Sequence, residues 1–268
     1  MNKTMLTINP FSVISGDIPS IAMQIFVIVM IILVIVGTVL DMVHKKNVKY
    51  FFENARKAKE SATRTVSAGE KASIIAKTVA SDILTSSEFC TVQRRTAHLL
   101  GMYGTIIFWV TSFIMIFNYS TPTATTPTLL PLLWHIGAIM TCVGGFWFWF
   151  VIRVNVSAEG HPWYHVIFAD LFVLSLLATQ STALLWSYLQ TLGATGWASL
   201  FFLLFVISNI ILFGGVYWSK FAHMFYKPGA AIQKHLAEAD GSRSNLPDPA
   251  DKPKQFGLGI RREQPRNY

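Results

Sequence analysis

Five stretches of this chain each run for about 20 residues with almost no charge, and no other feature limits the fold as strongly. A run of that length crosses the roughly 30 Å hydrocarbon core of a bilayer as a single α-helix. In lipid, only helices and closed barrels satisfy every backbone N–H and C=O. These runs are continuously apolar, so the expected fold class is an all-α integral membrane protein, a five-transmembrane-helix bundle. The spans fall at residues 21–43, 96–118, 129–154, 165–189 and 196–218. The first begins only after Pro10, Asp17 and Pro19, late for a signal peptide, and it is long enough to be retained as a span. Residues 1–20 then form a short N-terminus outside. The fifth span is expected to extend as helix to about residue 226 and to stop at Pro228 and Gly229, because proline cannot donate the next helical hydrogen bond.

Charge orients the bundle. The segment 44–95 carries 11 Lys and Arg against 5 acids, and residues 219–268 carry 9 against 5. With Arg153, these cations all fall on one side of a five-span topology, and only Lys3 lies opposite. The other two loops, YSTPTATTPT and QTLGATG, have no charge. By the positive-inside rule the basic side is cytoplasmic, which implies a multi-pass protein of the inner membrane with its N-terminus outside and its C-terminus in the cytoplasm. Because the basic excess is confined to these segments, a nucleic-acid partner is not expected. Cys90 and Cys142 are the only cysteines and form no CxxC pair, so neither an iron–sulfur cluster nor a disulfide framework is indicated. Redox chemistry in this chain would need haem or quinone.

The segment 44–95 is far longer than a hairpin needs. Its sequence KYFFENARKAKESATRTVSAGEKASIIAKTVASDIL lacks proline and is rich in Ala, Lys and Glu, which predicts a helical loop. Two roles stay open: a solvated basic helix that helps orient the protein, or a docking surface for a soluble partner or anionic lipid. The tail, 229–268, is rich in Pro, Asp, Asn and Arg toward its end and is expected to be flexible.

Histidines carry most of the functional signal. His98, in QRRTAHLLGMYG, sits in the first turn of span two, and His223, in YWSKFAHMFYKPG, follows span five. A b-type haem in a helical bundle needs one neutral imidazole from each of two facing helices. Gly101 is three residues beyond His98, where it would let a flat macrocycle approach the backbone, and Arg95 and Lys220 stand near the two histidines as partners for propionates. Haem b is thus one reading of this pair, and interfacial histidines without a cofactor are the other. His135 in span three, and His165 and Asp170 in span four, are ionisable groups at membrane depth and so candidates for quinone binding or proton transfer. Asp170 has three open roles: a partner for His165, a partner for Arg153, or a proton donor to quinone.

Five spans, the cytoplasmic first loop, His98 in span two and WSKFAHMFYKPGAAIQK after span five together resemble the gamma subunit of respiratory nitrate reductase. The same features resemble the membrane cytochromes associated with sulfite reductase and heterodisulfide reductase. The likeness covers about residues 82–233. It implies an electron-transport role, with His98 and His223 as the cytoplasmic-side haem ligands. At the positions of the family's second ligand pair this chain has Phe108 and a residue near Phe205, so one haem is implied. Within that group the size and the basic first loop look most like the membrane anchor of dissimilatory adenylylsulfate reductase. That implies cytoplasmic flavin and iron–sulfur oxidoreductase subunits of sulfur metabolism as partners, linked to membrane quinone. A cofactor-free anchor is the alternative.

Overall fold

A computed structural model describes residues 5–87, 89, 91–153, 163–242, 255–256 and 260–261. Five of its helical segments are long and apolar enough to cross a membrane: Ser20–His44, Val92–Asn118, Leu129–Ile152, Phe168–Thr191 and Thr195–Tyr217. The protein is an all-α membrane bundle. The chain divides into two compact units, Met1–Asp41 with Gln93–Ala222, and Met42–Val92 with His223–Tyr268.

The membrane unit contains α1 (Pro10–Ile14), most of α2 (Ser20–His44) and of α5 (Val92–Asn118), and α6 (Leu129–Trp147), α7 (Leu171–Thr191) and α8 (Thr195–Gly214). Helices in lipid gain little from hydrophobic exclusion and associate through close packing of small residues. That packing joins α5 to α6: a Cβ on Gly104 would lie 2.7 Å from the Gly137 carbonyl, and one on Gly144 would lie 2.5 Å from the Ala97 carbonyl. The contact lets Thr105 Oγ1 and Thr141 Oγ1 meet at 3.3 Å. The other half of the bundle is aromatic. Phe108 stacks on Trp134 with centroids 4.9 Å apart, and Trp186 stacks on Phe205 at 5.6 Å.

The N-terminal segment is more than an extension of the first span. Asn9 caps α1 through Phe11 N (3.0 Å) and also donates to the Tyr119 carbonyl (2.8 Å) and to Thr126 Oγ1 (3.1 Å). Held this way, Phe11 packs edge-on against Trp134 and Trp186 and closes the aromatic end of the bundle.

Three boundaries depart from the sequence expectation. Span four starts at Phe168, not at residue 165, because the Asp170 carboxylate accepts from Ile167 N (3.0 Å) and caps the helix there. Span five does not continue to residue 226: α8 ends at Gly214, a 3-10 turn follows at Gly215–Tyr217, and a new helix begins at His223. Pro228 and Gly229 lie inside that helix, α9 (His223–Ala239). Pro228 follows the first turn closely, so the helix forfeits a single intrahelical bond and continues.

The second unit holds α3 (Asn47–Glu60), α4 (Ala68–Thr78) with a π turn at Val79–Leu84, and α9. The described tail also includes a two-residue antiparallel pair, Gln255–Phe256 with Ile260–Arg261. The part of the tail up to Ala239 is therefore a folded helix that packs on α3 and α4. Ala58, Ala231 and Ala237 form the small-residue interior of this unit. Thr63 N and Arg64 N donate to the Asp240 carbonyl at 3.0 and 3.2 Å, and Arg64 Nε donates to the Ala239 carbonyl, so Arg64 caps the C-terminus of α9. Its guanidinium also grips Glu70.

Candidate functional site

The first turns of α5 carry His98, which is exposed. Gly101 stands one turn further along the same face. A Cβ built on Gly101 would meet nothing within 4 Å, in contrast to Gly104 on the packed face. Arg95 precedes His98 by three residues and is half-buried, and Lys220 is exposed in the turn after α8. The α5 half of the site thus presents an imidazole, a glycine open on its Cβ side and a cation within one turn, a set that the edge of a flat macrocycle would fit. His223 is the first residue of α9, in the second unit, and its side chain lies outside the described residues.

The other polar candidates have defined settings. His135 is fully buried between α6 and α7, with Nδ1 2.7 Å from the Pro131 carbonyl and Nε2 2.8 Å from Ser187 Oγ. Both ring nitrogens are therefore occupied by protein. Asp170 is paired with Arg153: Nε to Oδ1 is 3.3 Å, and the second guanidinium nitrogen bonds Oδ2 and also donates to the His165 carbonyl (2.8 Å). Of the three roles open to Asp170, the structure selects the ion pair with Arg153. The π turn at Phe148–Ile152 inserts an extra residue just before Arg153, whose guanidinium carbon sits 4.1 Å from the Trp149 ring centroid. His165 is exposed in the lead-in to span four.

Phe108 and Phe205, the positions that the family resemblance aligns with a second ligand pair, are buried against Trp134 and Trp186 in the aromatic half of the bundle. Cys142 lies 3.6 Å from Ser181 Oγ, and Cys90 falls outside the described residues. Among the described residues no group of three or more His, Cys, Asp and Glu converges as a metal-ligand set.

Two intramembrane groups escaped the sequence reading. Asp41, the one acid of the first apolar run, is 2% exposed. Ser20 and Gln24 of the same helix, α2, donate to the Ser120 and Ile116 carbonyls of α5. Gln180 in α7 is completely buried, and neither end of its amide has a hydrogen-bond partner within the described protein. A lone acid or amide inside an apolar run was the available signal, since such groups are costly in lipid.

The second unit contributes a cleft of about 410 Å³ lined by Glu70, Ile74, Lys77, Thr78, Ser81, His235, Glu238 and Ala239. At its edge His235 bridges Asp82 and Glu238, at 2.7 and 3.1 Å. Hydrogen bonds from Ser87, His235 and Ser81 hold the Asp82 carboxyl down at about 2, while Asp82 and then Glu238 raise His235 above its ordinary value.

These features define a multi-pass helical membrane protein with a folded unit outside the spans. Comparison with protein-family models, curated proteins and solved structures gives no match for this chain.

Proposed function

We propose that this protein is the membrane anchor and electron-transfer subunit of a cytoplasmic flavin and iron–sulfur oxidoreductase, of the adenylylsulfate reductase kind. It links that enzyme to the quinone pool of the inner membrane through one b-type haem on His98 and His223. The observation that carries this reading is the exposed His98 beside the open backbone at Gly101. Bound haem would supply a one-electron relay. His98 would offer a neutral imidazole, Gly101 would admit the ring edge against α5, and Arg95 and Lys220 would neutralise propionates. The distribution of Lys and Arg supports an outside N-terminus and a cytoplasmic second unit. His165, exposed beside the Arg153–Asp170 pair, is the polar group best placed to meet a quinone headgroup.

The test is a dithionite-reduced minus oxidised spectrum of the purified chain, expressed with haem available. About one b-type haem per chain is expected on this reading, with the signal lost in both His98→Ala and His223→Ala. Intact spectra in both variants would remove the assignment. A second reading, a cofactor-free anchor, is favoured by one observation: α8 stops at Gly214, which takes His223 off the fifth span. On that reading a colourless protein still recruits its soluble partner to membranes, and the folded unit of α3, α4 and α9 provides the docking surface.

A further inference from the structure

Helix α3 begins at Asn47, three residues after the first span ends at His44. One side of it is used inside its own unit: α3 packs on α9, and Ala58 is 1% exposed. Residues 49, 52, 56 and 59 follow the spacing of three and four residues that aligns side chains along one helical stripe. They are Lys49, Phe52, Arg56 and Lys59, a stripe of three cations around an aromatic ring that is 64% exposed. Helical geometry sets this stripe about 90° or more round the helix from Ala58. From Lys45 to Glu60 the chain has six cations and two acids. Those acids, Glu53 and Glu60, face Lys49 and Arg56 at 3.6 and 3.8 Å, with all four side chains well exposed. Exposed pairs of this kind are weak and readily exchanged for a stronger anionic partner.

We infer that the Lys49–Phe52–Arg56–Lys59 face of α3 is a docking surface for the anionic phospholipid headgroups of the leaflet from which the first span emerges. Chain length keeps the start of this face close to that leaflet: Lys49 is five residues beyond His44, so it cannot lie more than roughly 18 Å from the end of the span. An exposed phenylalanine among cations is the pattern of an interfacial helix, and a stripe tethered this near the span needs only to lie along the leaflet to bring its cations within the roughly 8–10 Å reach of an anionic surface. The inference rests on the five spans and not on the presence of haem.

The experiment is hydrogen exchange on the whole chain in nanodiscs of phosphatidylcholine alone and of phosphatidylcholine with one third phosphatidylglycerol. Exchange over residues 47–60 should slow in the anionic discs, while exchange in α9 stays the same. High salt should abolish the difference in the unmodified protein, which provides a control that needs no variant. Each of Lys49→Gln, Arg56→Gln and Lys59→Gln should lower the lipid-dependent protection about five-fold, and Phe52→Ser should lower it without changing its salt dependence. Equal exchange in both kinds of disc overturns the inference. So does protection that appears only when a soluble protein partner is added, because the face would then serve that partner. The haem spectrum is indifferent to all these outcomes, so failure here is distinguishable from failure of the electron-transfer reading.

Discussion

His235 Nε2 lies 2.7 Å from Asp82 Oδ2, a contact between residues 153 apart in sequence that holds α9 to the π turn after α4. Asp82 also accepts from Ser81 and Ser87 through its other oxygen, at 2.9 and 2.7 Å, and His235 turns its second nitrogen to Glu238. The carboxylate is over-provided with donors, and the imidazole sits between two acids.

The pH dependence of this clamp follows from the two shifts. His235 is raised above 6.5, so its contribution is fully present below 6.5 and is lost as pH rises through the folded value. Asp82 is lowered from 3.8 to about 2, so its contribution is present above 3.8 and is lost as pH falls toward 2. Protection of α9 from hydrogen exchange should therefore be greatest between about 4 and 6.5 and decline as pH rises through the raised His235 value. His235 is one-third exposed, so Asp82→Asn should cost only about 1 kcal/mol. The same variant should flatten the decline on the high-pH side.

Arg153 and Asp170 form a mostly buried pair at the end of the bundle, with side chains 16% and 14% exposed. Asp170→Ala leaves the guanidinium without its partner and removes the cap of span four. A loss of about 2–4 kcal/mol is expected, read from thermal unfolding in detergent. Replacing both residues by Leu should cost less than Asp170→Ala alone, because no uncompensated charge remains.

Gly104 and Gly101 lie three residues apart on α5 and should respond oppositely. Gly104→Leu drives a side chain into the α6 backbone and separates Thr105 from Thr141, so stability should fall by about 3 kcal/mol or more. Gly101→Leu meets open space and should leave the melting temperature nearly unchanged. If haem lies beside His98, Gly101→Leu should still lower haem content per chain.

Phe11 is 2% exposed between Trp134 and Trp186. Phe11→Ala should cost about 3–5 kcal/mol and increase exchange in the first turns of α6 and the last turns of α7. Unchanged stability would show that the N-terminal plug is dispensable to the bundle.

Much of the membrane architecture was legible from residue type and order alone. Five apolar runs predict five spans because lipid leaves a backbone few ways to satisfy its polar groups, and the spans of the structure begin and end within four residues of those runs, the start of the second moving furthest, from residue 96 to Val92. The helical character of the loop after the first span was also readable, since Ala, Lys and Glu favour a helix without any partner.

Tertiary structure decided what depends on which elements meet. Composition marks the tail as solvated, yet its first part is held as a helix by contacts with α3 and α4 that no local pattern encodes. Pro228 and Gly229 read as a stop, but the helix that starts at His223 runs through both, and its packing on α3 and α4 offsets the bond that Pro228 forfeits. Three partners were open to Asp170, and the π turn before Arg153 settled the choice. Asp41 and Gln180 acquired meaning only once their burial was known. Hydrophobicity along a chain determines which segments enter the bilayer, whereas the pairing of a polar group depends on distances that only the packed helices set.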